Sequence, residues 1–235
     1  MAASFQLTSE SLISDLANNL SFEFPQPLTE KYRPKRVSDF VGLDKAKRLA
    51  ANLIAHPKPI NLFFLGSSGT GKTTMARAIA EEMPCELHHI PSRECDIETV
   101  RSLVKQCWYV PRLAEDWQKP SKMHMVLSDE ADSMSRAAQD AFLSVLDGTS
   151  RPPNTIFIFT GNSIANLEDR FMSRCQLLEF SSYGIAKDAS ALLERIWDSE
   201  TDNPVERPNF ARIVKEANNN IRESLMRLET ELMSA

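Results

Sequence analysis

The eight residues Gly66-Ser67-Ser68-Gly69-Thr70-Gly71-Lys72-Thr73 constrain this chain more than any other stretch of its 235 residues. They match the G-x-x-x-x-G-K-[ST] pattern, and their flanks supply the context that pattern requires. The apolar run "NLFFLG" (61–66) reads as a buried strand, and "KTTMARAIAEEM" (72–83) carries its apolar residues at helical spacing. Gly66, Gly69 and Gly71 let the backbone curl until its N–H groups point inward, where they meet phosphate oxygens. The helix that follows presents its positive end to the same place. Residues Gly66 to Thr74, with Ser67, Ser68 and Thr70 in the turn itself, are therefore a candidate cradle for ATP. Lys72 is placed to reach the β- and γ-phosphates, and the Thr73 hydroxyl to take one position on Mg²⁺.

Such a loop needs an acidic partner on another strand. "MHMVLSD" (123–129) reads as that strand, with Asp129 at its end as a second Mg²⁺ residue and Glu130 placed to polarise an attacking water. Ser128 interrupts a strand that is otherwise apolar up to the Asp, and reads as a tolerated small residue. A helical pattern follows at 136–148, then a third strand, "TIFIFTG" (155–161). Strands alternating with amphipathic helices predict an α/β fold, a parallel sheet covered by helices on both faces. After Phe180 the apolar strands stop, and "DASALLERIWDSE", "FARIVKEA" and "NIRESLMRLETELM" are helical in period. The expected organisation is an N-terminal appendage over 1–27, an α/β nucleotide-binding domain over 28–181 and a small all-helical lid domain over 182–235. In the appendage, Leu12, Ile13, Leu16 and Leu20 fall on one helical face before "PQP" interrupts it.

Bulk composition excludes several alternatives. Hydrophobic residues make up 42% and charged residues 25%, ordinary values for a globular chain. A formal charge of -5 means that any nucleic-acid contact must come from a local basic patch. The four cysteines, Cys85, Cys95, Cys107 and Cys175, lie at irregular spacings without a C-x-x-C pair, so reduced thiols are expected rather than a disulfide framework or a zinc site. No apolar run reaches membrane-spanning length, and the N-terminus lacks the layout of a signal peptide. The chain reads as cytoplasmic, and nucleoid-associated in a bacterial or viral setting, with no membrane partner.

Asp129-Glu130-Ala131-Asp132 spells the motif of the DEAD-box RNA helicases. Those enzymes need two ATPase-like domains and a Ser-Ala-Thr at the next strand end, whereas this chain has room for one and carries Thr160-Gly161-Asn162 there. The text instead resembles the AAA+ clamp-loader ATPases, the small-subunit family of replication factor C, from about Leu28 to the C-terminus. "LTEKYRPKRVSDFVG" (28–42) is similar to that family's opening motif, and the resemblance implies that Tyr32, Arg33, Pro34 and Val41 line the adenine pocket. "DEADSMSRAAQDAFLSVLD" resembles its acidic strand end with a downstream glutamine, implying that Gln139 switches the catalytic Glu in response to DNA. Asn162 matches sensor 1, which orients the attacking water. Ser173-Arg174-Cys175 matches the motif whose Arg reaches a neighbouring subunit's ATP as a finger in trans, although Arg170 stands nearby as an alternative. "NNNIRESLMRLE" (218–229) resembles sensor 2, with Arg222 near a helix start and Asn220-Ile221 where the family usually has Gly-Asp or Gly-Asn.

By the same resemblance the chain acts as a homo- or hetero-oligomer on primed or duplex DNA, with a sliding clamp as a further partner and DNA replication as the setting. Arg93, Arg101 and Arg136 occupy the places of the family's DNA-facing helices, and each is equally readable as a solvated surface charge. The aromatic, Pro-containing interval 107–122 reads as a packed loop or a partner-contacting insertion. Family members carry a helical collar after the lid, whereas this sequence stops at "LETELMSA". That leaves a second reading open: an AAA+ regulator whose ATP-bound oligomer is an assembly platform on DNA or protein, in transposition, plasmid maintenance or defence.

Overall fold

The computed structural model describes residues 25–91, 94–109, 123–148, 150–201 and 207–234. Five parallel strands form one sheet: β1 (Asn61–Gly66), β2 (Cys85–Ile90), β3 (Met123–Ser128), β4 (Thr155–Gly161) and β5 (Gln176–Phe180). Their spatial order is β2-β3-β4-β1-β5. In β3 and β4 every residue is buried, which is why both were legible as largely apolar runs. The edge strands β2 and β5 mix buried with exposed positions. Their alternation is short and interrupted by charge, so the sequence did not announce them.

Successive side chains point to opposite faces, and each face has its own core. Leu62, Phe64, Met125, Leu127, Ile156 and Ile158 pack on one side against α2 (Asp44–Ala55) and α3 (Lys72–Glu82), which follow the short N-terminal helix α1 (Leu28–Lys31). Phe63, Val126, Phe157 and Phe159 pack on the other side beneath α4 (Ile97–Gln106) and α5 (Arg136–Leu146). There Phe142 of α5 stands edge-on to Phe159, with ring centroids 5.0 Å apart. A one-turn helix, α6 (Asp169–Met172), leads into β5 and plants Phe171 on the same ring from the other side.

Because β1 pairs with β4 on one side and β5 on the other, the chain leaves β1 at a point where its neighbours do not follow it in sequence. Crevices at the carboxyl ends of strands form at such switch points, and the Gly-rich loop lies there. Asp129 falls one residue beyond β3, and Asn162 one beyond β4, so both reach the same rim.

Three further helices, α7 (Ala186–Glu200), α8 (Phe210–Glu216) and α9 (Ile221–Ser234), bury Leu193, Ile196, Trp197, Ile213, Val214, Leu225 and Leu228 against one another. Leu28 of α1 joins this cluster, and its N–H donates to Glu229 Oε1 at 3.1 Å. Tyr32 and Lys31 both bond Glu200 at the end of α7. The start of the segment grouped by sequence with the α/β unit thus packs on the helices of the lid. The amphipathic pattern in the first 24 residues and most of 107–122 lie outside the described residues.

Candidate nucleotide site

The Gly-rich loop runs from the end of β1 to the start of α3, and two of its glycines hold backbone shapes that a side chain would oppose. Gly69 has φ +78° and Gly71 φ +90°, in the left-handed region that favours glycine. A Cβ on Gly69 would lie 2.3 Å from Asn220 Oδ1, and one on Gly71 would lie 3.1 Å from Phe40. At Gly66 a Cβ would lie 2.3 Å from the Phe180 carbonyl on β5, so this glycine also permits the close pairing of β1 with its edge neighbour.

Lys72 is the first residue of α3 and is 8% exposed. Its ammonium donates to the carbonyls of Gly66 (2.8 Å) and Ser67 (2.9 Å) and to Asn162 Oδ1 (3.0 Å). Three donors and three oxygens leave no buried proton without a partner. Burial pulls the Lys72 ammonium below the ordinary lysine range, while the charges of Asp132 and Asp129 oppose that shift and the positive charge of Arg222 adds to it. The arrangement is a cation held in reserve on two carbonyls of the loop.

One residue on, the Thr73 hydroxyl donates to Asp129 Oδ1 at 2.6 Å. The same carboxylate oxygen accepts from Thr160 Oγ1 at 2.5 Å, and Thr160 Oγ1 in turn accepts the Glu130 N–H at 3.0 Å. Thr160 is 1% exposed and was not singled out from the sequence, although it lies one residue from the end of β4. It ties the ends of β3 and β4 together and fixes both acidic residues. Glu130 itself sits at φ +50°, a left-handed position that costs a non-glycine residue about 1 kcal/mol or more. Beside it, Asp132 accepts the Asn162 N–H at 3.0 Å, which sets the backbone of the residue that holds Lys72. His89 Nε2 lies 3.9 Å from Asp129 Oδ2, a neighbour from edge strand β2 that the sequence did not flag.

Between loop and lid lies a cleft of about 1210 Å³. Tyr32, Arg33, Pro34 and Val41 line it, together with Gly69, Gly71, Thr74 and, from α9, Arg222. The four residues expected around an adenine thus share one cleft with the phosphate loop. The Tyr32 hydroxyl is turned to Glu200 and Arg33 is paired with Glu30. Asn220, just ahead of α9, accepts the Glu223 N–H at 3.2 Å as a helix cap and donates through Nδ2 to the Ser68 carbonyl at 2.9 Å. It is the direct tether between lid and loop. The Asn-x-x-Glu spacing of Asn220 and Glu223 was the signal that would have found it.

The remaining sequence candidates fall elsewhere. Gln139 is completely buried. Its amide donates to the carbonyls of Met134 and Asn166 and accepts the Glu168 N–H, which commits it to the loop between β4 and α6. Arg174 makes a two-pronged pair with Asp147, at 2.6 and 3.0 Å. That pairing holds the Asp147 carboxyl below the usual range. The Arg174 carbonyl accepts from Asn61 Nδ2, which puts it beside the first residue of β1, at the end of the sheet opposite the phosphate loop. Arg170 pairs with Glu168 and Asp140. Arg101 and Arg136 are exposed on α4 and α5, and Arg93 lies outside the described residues.

The residues fit a nucleoside triphosphate with Mg²⁺. The loop is shaped by glycines where side chains would obstruct it, the lysine is buried yet free of any carboxylate bond among those described, and a hydroxyl and a carboxylate from adjacent strands meet at one point. Residues 62–183 match the model of the "ATPase family associated with various cellular activities (AAA)", about half of the chain. The chain belongs to the AAA ATPase family. Within the family it is similar to a replication factor C small subunit 1 of Pyrobaculum islandicum, 34% identical over 158 residues, covering 65% of this chain and 46% of that protein. It is also similar to replication factor C subunit 4 of Encephalitozoon cuniculi, 31% identical over 175 residues, covering 72% of this chain and 52% of that one. The chain thus spans about half the length of these relatives. Among solved structures, the Thermotoga maritima RuvB Holliday junction branch migration motor superposes with a TM-score of 0.65 at 19% identity, over 84% of this chain and 64% of that one, a likeness of fold. Among the described residues no helix is long and apolar enough to cross a membrane.

Proposed function

We propose that this AAA protein hydrolyses ATP as an oligomer on DNA in the manner of a clamp loader. The observation that carries the reading is the joined set Lys72–Asn162 and Thr73–Asp129–Thr160–Glu130 on one rim of the sheet. The backbone of Gly66 to Thr74 cradles the phosphates. Lys72 exchanges its two loop carbonyls for phosphate oxygens while Asn162 keeps it in line. Thr73 and Asp129 would hold Mg²⁺, which would offset the charge of the phosphates. Glu130 orients and accepts a proton from the attacking water, with Asn162 beside it. Tyr32, Arg33, Pro34 and Val41 wall the adenine, and Arg222 reaches into the cleft from the lid.

Arg174 has no route to its own site. Its carbonyl lies beside Asn61, five residues before Gly66, and at ~3.3 Å per residue that is about 16 Å along β1. Service as an arginine finger therefore requires a neighbouring subunit, to which Arg174 is presented from the opposite edge of the sheet after leaving Asp147. Arg101 and Arg136, on the adjacent helices α4 and α5, are the basic residues offered to a DNA backbone, and the similarity to replication factor C subunits supports a sliding clamp as partner. The testing experiment is ATP turnover with and without primed DNA. Glu130→Gln lowers kcat by about 100-fold or more while ATP binding persists. Turnover at the wild-type rate in Glu130→Gln would overturn the assignment.

A further inference from the structure

On the far side of β3 from the phosphate loop's core, three elements bring together side chains that no spacing rule would join. In the parallel register of β2 and β3, Glu86 lies opposite His124 and His88 opposite Val126, so Glu86, His88 and His124 share one face. Cys107 ends α4 over that face. The ring nitrogens His88 Nε2 and His124 Nδ1 face each other at 2.9 Å. One donor atom from each of His88, Cys107 and His124 lies within 4.8 Å of the other two. Glu86 Oε1 lies 3.9 Å from His88 Nε2, and its Oε2 lies 3.7 Å from His124 Nδ1. Cys107 is fully buried and His124 2% exposed.

We propose that His88, Cys107, His124 and Glu86 form a structural zinc site. Two imidazoles, a thiolate and a carboxylate are a zinc donor set, and four ligands from protein close the site. The decisive detail is the outer bond of His124. Its Nε2 lies 2.9 Å from the Tyr109 carbonyl, which can only accept, so Nε2 carries the proton and Nδ1 turns its lone pair into the cluster. Metal-ligating histidines are oriented by a bond of this kind. Zinc–nitrogen bonds of about 2.0–2.1 Å in a tetrahedron set the two ring nitrogens about 3.3 Å apart. The rings thus open slightly while the sulfur closes in. On binding, the His88 Nε2 proton moves to Nδ1 and the Cys107 thiol releases its proton to solvent. The site would lock edge strand β2 to β3 and to the end of α4, the helix that carries Arg101.

The test uses the whole protein, stripped with a chelator and dialysed against Zn²⁺ in excess Mg²⁺, with metal content read by mass spectrometry. Co²⁺ serves as a spectroscopic probe of thiolate ligation. The expected result is about one zinc per chain with a raised Tm, and a cobalt spectrum with a thiolate charge-transfer band. Affinity falls about 100-fold or more in Cys107→Ser and in His88→Gln, and persists in Cys175→Ser and Asp129→Asn. His88 lies at the sheet edge, so its variant guards against a misfolded Cys107→Ser. Wild-type protein that takes up no stoichiometric zinc, or zinc that survives both ligand substitutions or leaves only with Asp129→Asn, overturns the proposal.

Discussion

The Thr160 hydroxyl joins the two acidic residues of the nucleotide site. Thr160 donates to Asp129 and receives the Glu130 N–H while almost wholly buried. Thr160→Val keeps the shape but removes the acceptor of the Glu130 N–H and one of the carboxylate's donors. The expected cost is about 1–3 kcal/mol, read by chemical denaturation, with a parallel loss of ATP turnover. Thr160→Ser, which retains the hydroxyl, should restore most of both. The contrast with Lys72 explains what sequence reading reaches at this scale. Lys72, Thr73 and the glycines are contiguous, and their roles follow from one loop's local geometry. Thr160, Asp132 and His89 act only because β2, β3 and β4 lie side by side, and nothing in their own neighbourhoods reports that adjacency. The zinc ligands proposed here are the extreme case: Cys107 and His124 come from elements whose sequence separation matches no metal pattern.

Among the elements, the buried strands and amphipathic helices were legible because period and burial agree. The third strand (155–161) was read to the residue, and the lid helices to within a residue or two. The edge strands were not, since β2 and β5 are half solvated. The docking of α1 on the lid was not either, because Leu28 and the polar bonds beside it meet helices more than 150 residues away. Asn220 makes α9 answer to the phosphate loop. Asn220→Ala should cost about 1 kcal/mol through the lost cap and weaken ATP binding through the lost bond to Ser68, measured by denaturation and by nucleotide titration. The anchor of α1 carries a pH signature. Bonds from Lys31 and Tyr32 hold the Glu200 carboxyl below the ordinary glutamate range. A group whose pKa is lowered on folding stabilises the fold fully above its unfolded value and ceases to do so as pH falls through the folded one. The denaturation midpoints of wild type and Glu200→Gln should therefore differ most near neutral pH and converge on acidification. A constant gap across that range would contradict the anchor.

At the scale of the whole molecule, the proposed function has one subunit bind the nucleotide and another complete the site. Each chain carries a phosphate loop and acidic residues at the carboxyl ends of its strands, and an arginine at the other end, parked on Asp147. In the proposed oligomer a head-to-tail neighbour would bring the two ends together. Mixing two dead variants probes that asymmetry. Arg174→Ala should lose about a thousandfold or more of the ATP turnover, on the scale of other arginine fingers, and Glu130→Gln should be inactive for want of its base. In a 1:1 mixture, sites with Glu130 meet neighbours with Arg174, and turnover should return to about one site in four under random head-to-tail pairing. Full activity of Arg174→Ala alone, or a mixture no more active than its parts, would contradict the account.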